Sequence, residues 1–222
     1  MNAVTALMKR DLAVAFRQGS NVGTAIGFFL TVVVLLPIGL GPDQAMMQRI
    51  APGGLWIALL MSVLLSADRI FQDDYDDGSL ELLTTGPLPF EVVTLIKALV
   101  HWLTAGLPLA IIAPLLGFLV NISPQQVVPL ALAMIVGSVG ISLLAALGAA
   151  VTVGLRRGGM VVSLLILPLY VPMLVFGISA SSAAAGMPGP GSASLMILAA
   201  LSLATLVVVP IAASAALRSY MQ

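Results

Sequence analysis

Six of the nine acidic residues of this 222-residue chain fall in one window: Asp68, Asp73, Asp74, Asp76, Asp77 and Glu81. Carboxylates at this density suit either a cation or a basic partner. Asp73-Asp74-Tyr75-Asp76-Asp77 has the Asp-Asp-x-x-Asp spacing of a magnesium–diphosphate site, and magnesium takes carboxylate and water oxygens. Such a site needs a second Asp cluster facing the first, with basic residues nearby. The other acids, Asp11, Asp43, Asp68, Glu81 and Glu91, form no second cluster, so no bound metal is expected. The remaining readings are a docking element for a basic partner and a plain solvated loop.

His101, the only histidine, is the other candidate for chemistry. It adjoins Trp102 in an apolar stretch. An ionisable residue at membrane depth is a functional candidate by default, and histidine is a usual haem ligand. The plainer expectation is a neutral imidazole bonded to a neighbouring helix, with Trp56 and Trp102 marking membrane depth. His101 and Trp102 are therefore candidates for substrate contact or helix–helix contact. No phosphate-binding Gly-x-x-x-x-Gly-Lys-Ser/Thr loop is present, and the only lysines are Lys9 and Lys97. Gly-x-Ser-x-Gly and His-Glu-x-x-His are also absent. No catalytic residues are expected. With no cysteine, disulfides, thiolate metal sites and covalent haem attachment are excluded.

The elements that position these residues are membrane helices. The chain is 60% hydrophobic and 8% charged, against about 25% charged for soluble domains. A helix needs ~20 apolar residues to cross a bilayer core. Six stretches qualify: 20–40, 53–70, 92–120, 127–153, 160–180 and 194–216. They make residues 1–222 a single transmembrane domain of all-α class. Residues 92–120 would reach about 43 Å as one helix, so they form either one kinked helix or two half-helices with a re-entrant turn. One net crossing suits the charges better.

Lys and Arg in short loops set orientation. Lys9, Arg10, Arg17, Arg69, Lys97, Arg156, Arg157 and Arg218 share one side under six spans, and only Arg49 falls on the other. Both termini are then cytoplasmic. Residues 1–18 read as an interfacial amphipathic helix, not a cleaved signal. Val4, Leu7, Met8, Leu12 and Ala15 share one face and Lys9, Arg10 and Arg17 the other, while Asp11 falls on the apolar arc and spoils the pattern. Ser179 to Ser194 reads as an outer loop.

The acidic window thus becomes a cytoplasmic elbow, 71–90, between spans two and three. At helical spacing Phe71, Tyr75, Gly78 and Leu82 share an apolar face, opposite Asp73, Asp74, Asp77 and Glu81. Gly78 is a break point, with Asp77 or Ser79 capping a second short helix. Gly86-Pro87-Leu88-Pro89 stops the element.

Asp74 followed by Gly78-Ser79-Leu80-Glu81-x-Leu83 resembles the coupling helix of six-helix ABC exporter permeases. Phe71-x-x-Asp74-x-x-Asp77-Gly78-Ser79-Leu80-Glu81 is similar, more closely, to the signature of the CcmB family. So are Leu88-Pro89, Lys97-Ala98-x-x-x-His101-Trp102, Gly106-Leu107-Pro108-Leu109, Gly154-Leu155-Arg156-Arg157-Gly158-Gly159 and Leu167-Pro168-Leu169. Asp68 stands where the family usually has Glu.

The resemblance implies the membrane subunit of the ABC complex for c-type cytochrome biogenesis in the bacterial inner membrane. It implies ATPase activity in a separate CcmA-type subunit, a second copy of this chain, CcmC and CcmD as further partners, and CcmE indirectly. It also implies haem as substrate, or release of the haem-loaded chaperone driven by ATP. The elbow residues from Phe71 to Leu83 would be the coupling interface, with Arg156 and Arg157 in a second cytoplasmic loop. A six-span permease for a lipid or drug, and a non-transporting assembly scaffold, are the alternatives.

Overall fold

A computed structural model describes residues 3–17, 20–153, 158–183 and 191–220, and every regular element among them is helical. α1 (Ala3–Arg17) leads into α2 (Ser20–Leu40), α3 (Gln44–Ala67) and the elbow pair α4 (Arg69–Asp76) and α5 (Ser79–Thr84). α6 (Phe90–His101) continues through a π turn (Trp102–Gly106) into α7 (Leu107–Leu116) and a short 3₁₀ turn (Gly117–Val120). α8 (Pro124–Thr152), α9 (Gly158–Ala183) and α10 (Gly191–Tyr220) complete the chain.

Five stretches are long and apolar enough to cross a membrane: Val22–Leu40, Gln44–Asp76, Phe90–Val120, Pro124–Thr152 and Gly191–Tyr220. α9, 26 residues and apolar, has the length of a sixth. The chain is an all-helical, multi-pass membrane protein. Its exposed Leu35, Ile38, Met196, Leu203 and Val207 are the outward apolar surface such a protein turns to lipid.

α8 is the central helix, packed against α3, α6, α7, α9 and α10. Small residues let its neighbours approach, as is common where lipid removes the hydrophobic drive between helices. A Cβ on Gly137 would lie 2.4 Å from the Trp56 ring of α3, and one on Gly140 2.4 Å from Met173 Cε of α9.

Some helix ends differ from the expected spans, and one of the two alternatives left open for 92–120 is realised. α3 starts at Gln44, well before residue 53, because Asp43 caps it: its Oδ1 accepts from the N–H groups of Ala45 and Met46 at 3.0 Å each. The α6–α7 stretch is one continuous helix with a π turn and has no re-entrant turn. Of the expected loop at 179–194, the part up to Ala183 belongs to α9 and the part from Gly191 to α10, and the rest lies outside the described residues. The hydroxyls of Ser179 and Ser194 meet at 2.9 Å across these helix ends.

Candidate functional site: a charged clasp behind an exposed elbow

The elbow turns at Gly78, whose φ of +76° is left-handed, a region that costs other L-residues strain. Asp77 Oδ1 accepts from the Ser79 N–H at 2.8 Å and secures the turn. Hydrogen bonds from Ser79 hold the exposed Asp77 carboxyl below the usual carboxylate range. The turn resets the helical phase, so the apolar face expected from Phe71 to Leu82 does not exist as one surface. Phe71 and Leu80 are buried against the helical body, while Tyr75 and Leu82 are 39% and 73% exposed. Leu83 is half-buried, and Asp76, Asp77 and Glu81 face solvent.

Asp74 does not belong to that exposed acidic rim. It is buried, and its two oxygens are taken largely by other helices. Oδ1 accepts from Arg10 Nη2 of α1 at 2.6 Å and from the Ser79 hydroxyl at 2.7 Å. Oδ2 accepts from the ammonium of Lys97 on α6, which donates also to Asp11 Oδ2 of α1 at 3.2 Å. Asp11, Asp74 and Lys97 are all buried, whereas the Arg10 side chain is 42% exposed. Partial burial works against the charge on Arg10, but its hydrogen bond to Asp74 and that carboxylate's charge outweigh it and raise its pKa. Two cations and two carboxylates thus form a neutral clasp joining α1, the elbow and α6. A cleft of about 190 Å³ opens on it, lined also by Arg69, Asp73, Asp77 and His101.

One turn beyond Lys97, His101 Nε2 meets the Ser66 hydroxyl of α3 at 3.0 Å. Ser66 also lies 3.0 Å from the Val63 carbonyl. A hydroxyl has one proton, so the tautomer that serves both bonds has Ser66 donating to Val63 and His101 donating from Nε2. Trp102 opens the π turn, and its indole N–H donates to Ser138 of α8 at 3.0 Å. Trp56 is fully buried and donates to Ser181 of α9 at 3.0 Å. The two tryptophans tie helices together.

The structure therefore brings Asp74 and Ser79 together with Arg10, Asp11 and Lys97, none of which was a candidate site residue. The available signal was Asp11 on the apolar arc of α1. Asp73, Tyr75, Asp77, Glu81 and Leu82 stay on the outer side of the elbow or along the cleft. Among the described residues no group of three His, Asp or Glu side chains is placed to hold a metal. Arg156 and Arg157 lie outside the described residues.

A family model for "CcmB protein" matches residues 2–220. "Heme exporter protein B" of Paracoccus denitrificans is 52% identical over 213 residues, covering 96% of this chain and 97% of that protein. The protein of the same name from Bradyrhizobium diazoefficiens is 44% identical, with 98% of each chain covered. The one from Escherichia coli K12 is 42% identical, covering 97% and 98%. With a match across nearly its whole length and relatives at this identity, the chain belongs to the CcmB protein family.

Proposed function

We propose that this chain is the membrane subunit of a haem export system for c-type cytochrome biogenesis. It couples ATP hydrolysis by a separate ATPase subunit to haem export, or to release of the haem-loaded chaperone. Haem enters as cargo, and the chain itself carries no catalytic residues. Six spans, both termini in the cytoplasm of a bacterial inner membrane, and a pair of such chains form the working unit. A CcmA-type ATPase sits beneath them, with CcmC and CcmD as neighbours and CcmE served indirectly. The names of the relatives support the haem assignment, and the positive charges concentrated on one side of six spans support the orientation.

The observation that carries the coupling role is the construction of the elbow. Its inner side is anchored by Phe71, Leu80 and Asp74, while its outer side presents Tyr75, Asp76, Glu81 and Leu82 to solvent. An element fastened inward and bare outward transmits a push from whatever docks on it. Leu82 and Tyr75 are the apolar anchors of that docking face, and Asp76 and Glu81 meet basic groups on the ATPase.

Co-purification of the ATPase with Leu82→Asp and Tyr75→Ala chains tests this reading. Loss of the ATPase from chains that still reach the membrane at normal abundance is expected. Undiminished binding and undiminished cytochrome maturation in both variants would sink it.

A further inference from the structure

The clasp has properties that static packing does not require. Three of its four charges are buried, and desolvation offsets much of what a buried ion pair gains, so apolar residues would hold three helices together as firmly. The clasp also lines an open cleft of about 190 Å³, which gives its side chains room that a packed core lacks.

The same cleft holds further charged groups. Arg69 and Asp73 line it, and the charge of Arg69 acts on Asp68. The Asp77 carboxylate, also on the cleft, is bonded to Ser79, and among the described residues it makes no direct ion pair, although the charge of Arg10 already acts on it. A short path connects Arg10 to it. Arg10 Nη2 lies 3.5 Å from the Ser79 hydroxyl, and the N–H of Ser79 is the group bonded to Asp77. An Arg10 that moves past Ser79 reaches a second carboxylate. Asp74 would then keep Lys97 and the Ser79 hydroxyl, so no buried charge is left bare.

Resting on the coupling reading above, we propose that Arg10, Asp11 and Asp77 are positioning residues for transport. As the elbow moves, Arg10 passes from Asp74 to Asp77, while Lys97 keeps Asp11 and holds α1 against α6. α1 is then part of the moving machinery and not only an interfacial anchor. Lys97 lies one helical turn before the π turn at Trp102–Gly106, and such turns are frequent at functional sites in helices. Lys97 thus links the clasp to a membrane helix close to its π turn.

The chain has no cysteine, so spin labels at Ala13→Cys and Thr85→Cys, placed on one of the two copies in a complex whose ATPase has had its own cysteines replaced, report the α1-to-elbow distance. The complex with its ATPase, in vesicles, should change that distance between nucleotide-free and ATP-trapped states. Asp77→Asn keeps a side-chain oxygen that can accept from the Ser79 N–H but not the charge, and should abolish the change. Cytochrome c yield in cells should fall about tenfold in Arg10→Gln and Asp77→Asn, a factor equal to about 1.4 kcal/mol of coupling free energy. It should return to within about twofold of normal in Arg10→Lys, with the ATPase co-purifying throughout.

A merely structural clasp predicts otherwise. Chain abundance, ATPase binding and yield would then fall in step in Arg10→Gln, and Asp77→Asn would behave as wild type. Either result overturns the proposal, as does an unchanged label distance in the wild type with ATPase bound. The coupling reading fails separately, by undiminished ATPase binding and cytochrome maturation in both Leu82→Asp and Tyr75→Ala.

Discussion

The Lys97 ammonium of α6 donates to the Asp11 carboxylate of α1 at 3.2 Å across 86 positions of sequence, and both groups are buried. Asp11 thus sits on the inner face of an amphipathic helix for a reason: its partner is waiting there. The pair matters because Lys97 serves Asp74 as well. One ammonium bridges carboxylates from two different elements.

Lys97→Met should therefore be the most damaging neutral change in the clasp. It leaves two buried carboxylates facing one half-exposed guanidinium, and breaking a buried pair from one side costs about 3–5 kcal/mol. Asp11→Asn should cost less, since Lys97 keeps Asp74. The double variant Lys97→Met with Asp11→Asn should lose less than the sum of the two. Thermal unfolding of purified chains in detergent measures all three, and additive losses would show that the groups do not act together.

The Arg218–Glu91 pair makes the instructive contrast. Its 2.8 Å contact is short, and Arg218 also lies over the Phe90 ring at 5.9 Å. Both side chains are well exposed, at 54% and 37%, and exposed ion pairs are worth about 0–1 kcal/mol. Arg218→Ala should shift the same unfolding curve far less than Lys97→Met does. Burial decides the ranking and distance does not.

Gly78 separates backbone strain from bulk. A Cβ there would meet nothing within 4 Å, yet φ is +76°. A left-handed residue other than glycine costs about 1–2 kcal/mol, and asparagine tolerates the region best. Gly78→Asn should thus retain more stability and more ATPase binding than the smaller Gly78→Ala. The reverse order would mean that side-chain volume limits the turn.

Much of this was legible from one-dimensional pattern. Apolar runs, the elbow and its break at Gly78 follow from length, periodicity and residue type. The clasp was not, because pairing across 86 positions is tertiary, and helical periodicity reports only which arc a residue occupies. Asp11 registered as a flaw in α1, and the partner that makes sense of it lies on another helix. The face drawn through Phe71, Tyr75 and Leu82 failed for a local reason. A helical wheel assumes constant rotation per residue, and one left-handed residue ends that continuity. Asp74 was read with its acidic neighbours because composition cannot distinguish a carboxylate that faces in from those that face out.

The helix-to-helix bonds of the two tryptophans were not legible either, and Trp56 gives the sharpest packing test. Its ring packs against two glycines on different helices, Gly137 of α8 and Gly177 of α9. A Cβ would fall 2.4 Å from the ring at Gly137 and 2.5 Å at Gly177. Trp56 is fully buried and held by its bond to Ser181, so it cannot yield easily. Overpacking of this kind costs about 1–3 kcal/mol. Gly53, on the same helix as Trp56, has its nearest atom, Ile178 Cδ1, at 4.0 Å. Gly53→Ala should be neutral or stabilise the chain by up to about 1 kcal/mol, since alanine favours helix over glycine. Gly137→Ala and Gly177→Ala should each lower the unfolding temperature, and Trp56→Leu should restore part of the loss by opening the space. If all three alanine variants behaved alike, helix propensity would explain the glycines and close packing around Trp56 would not.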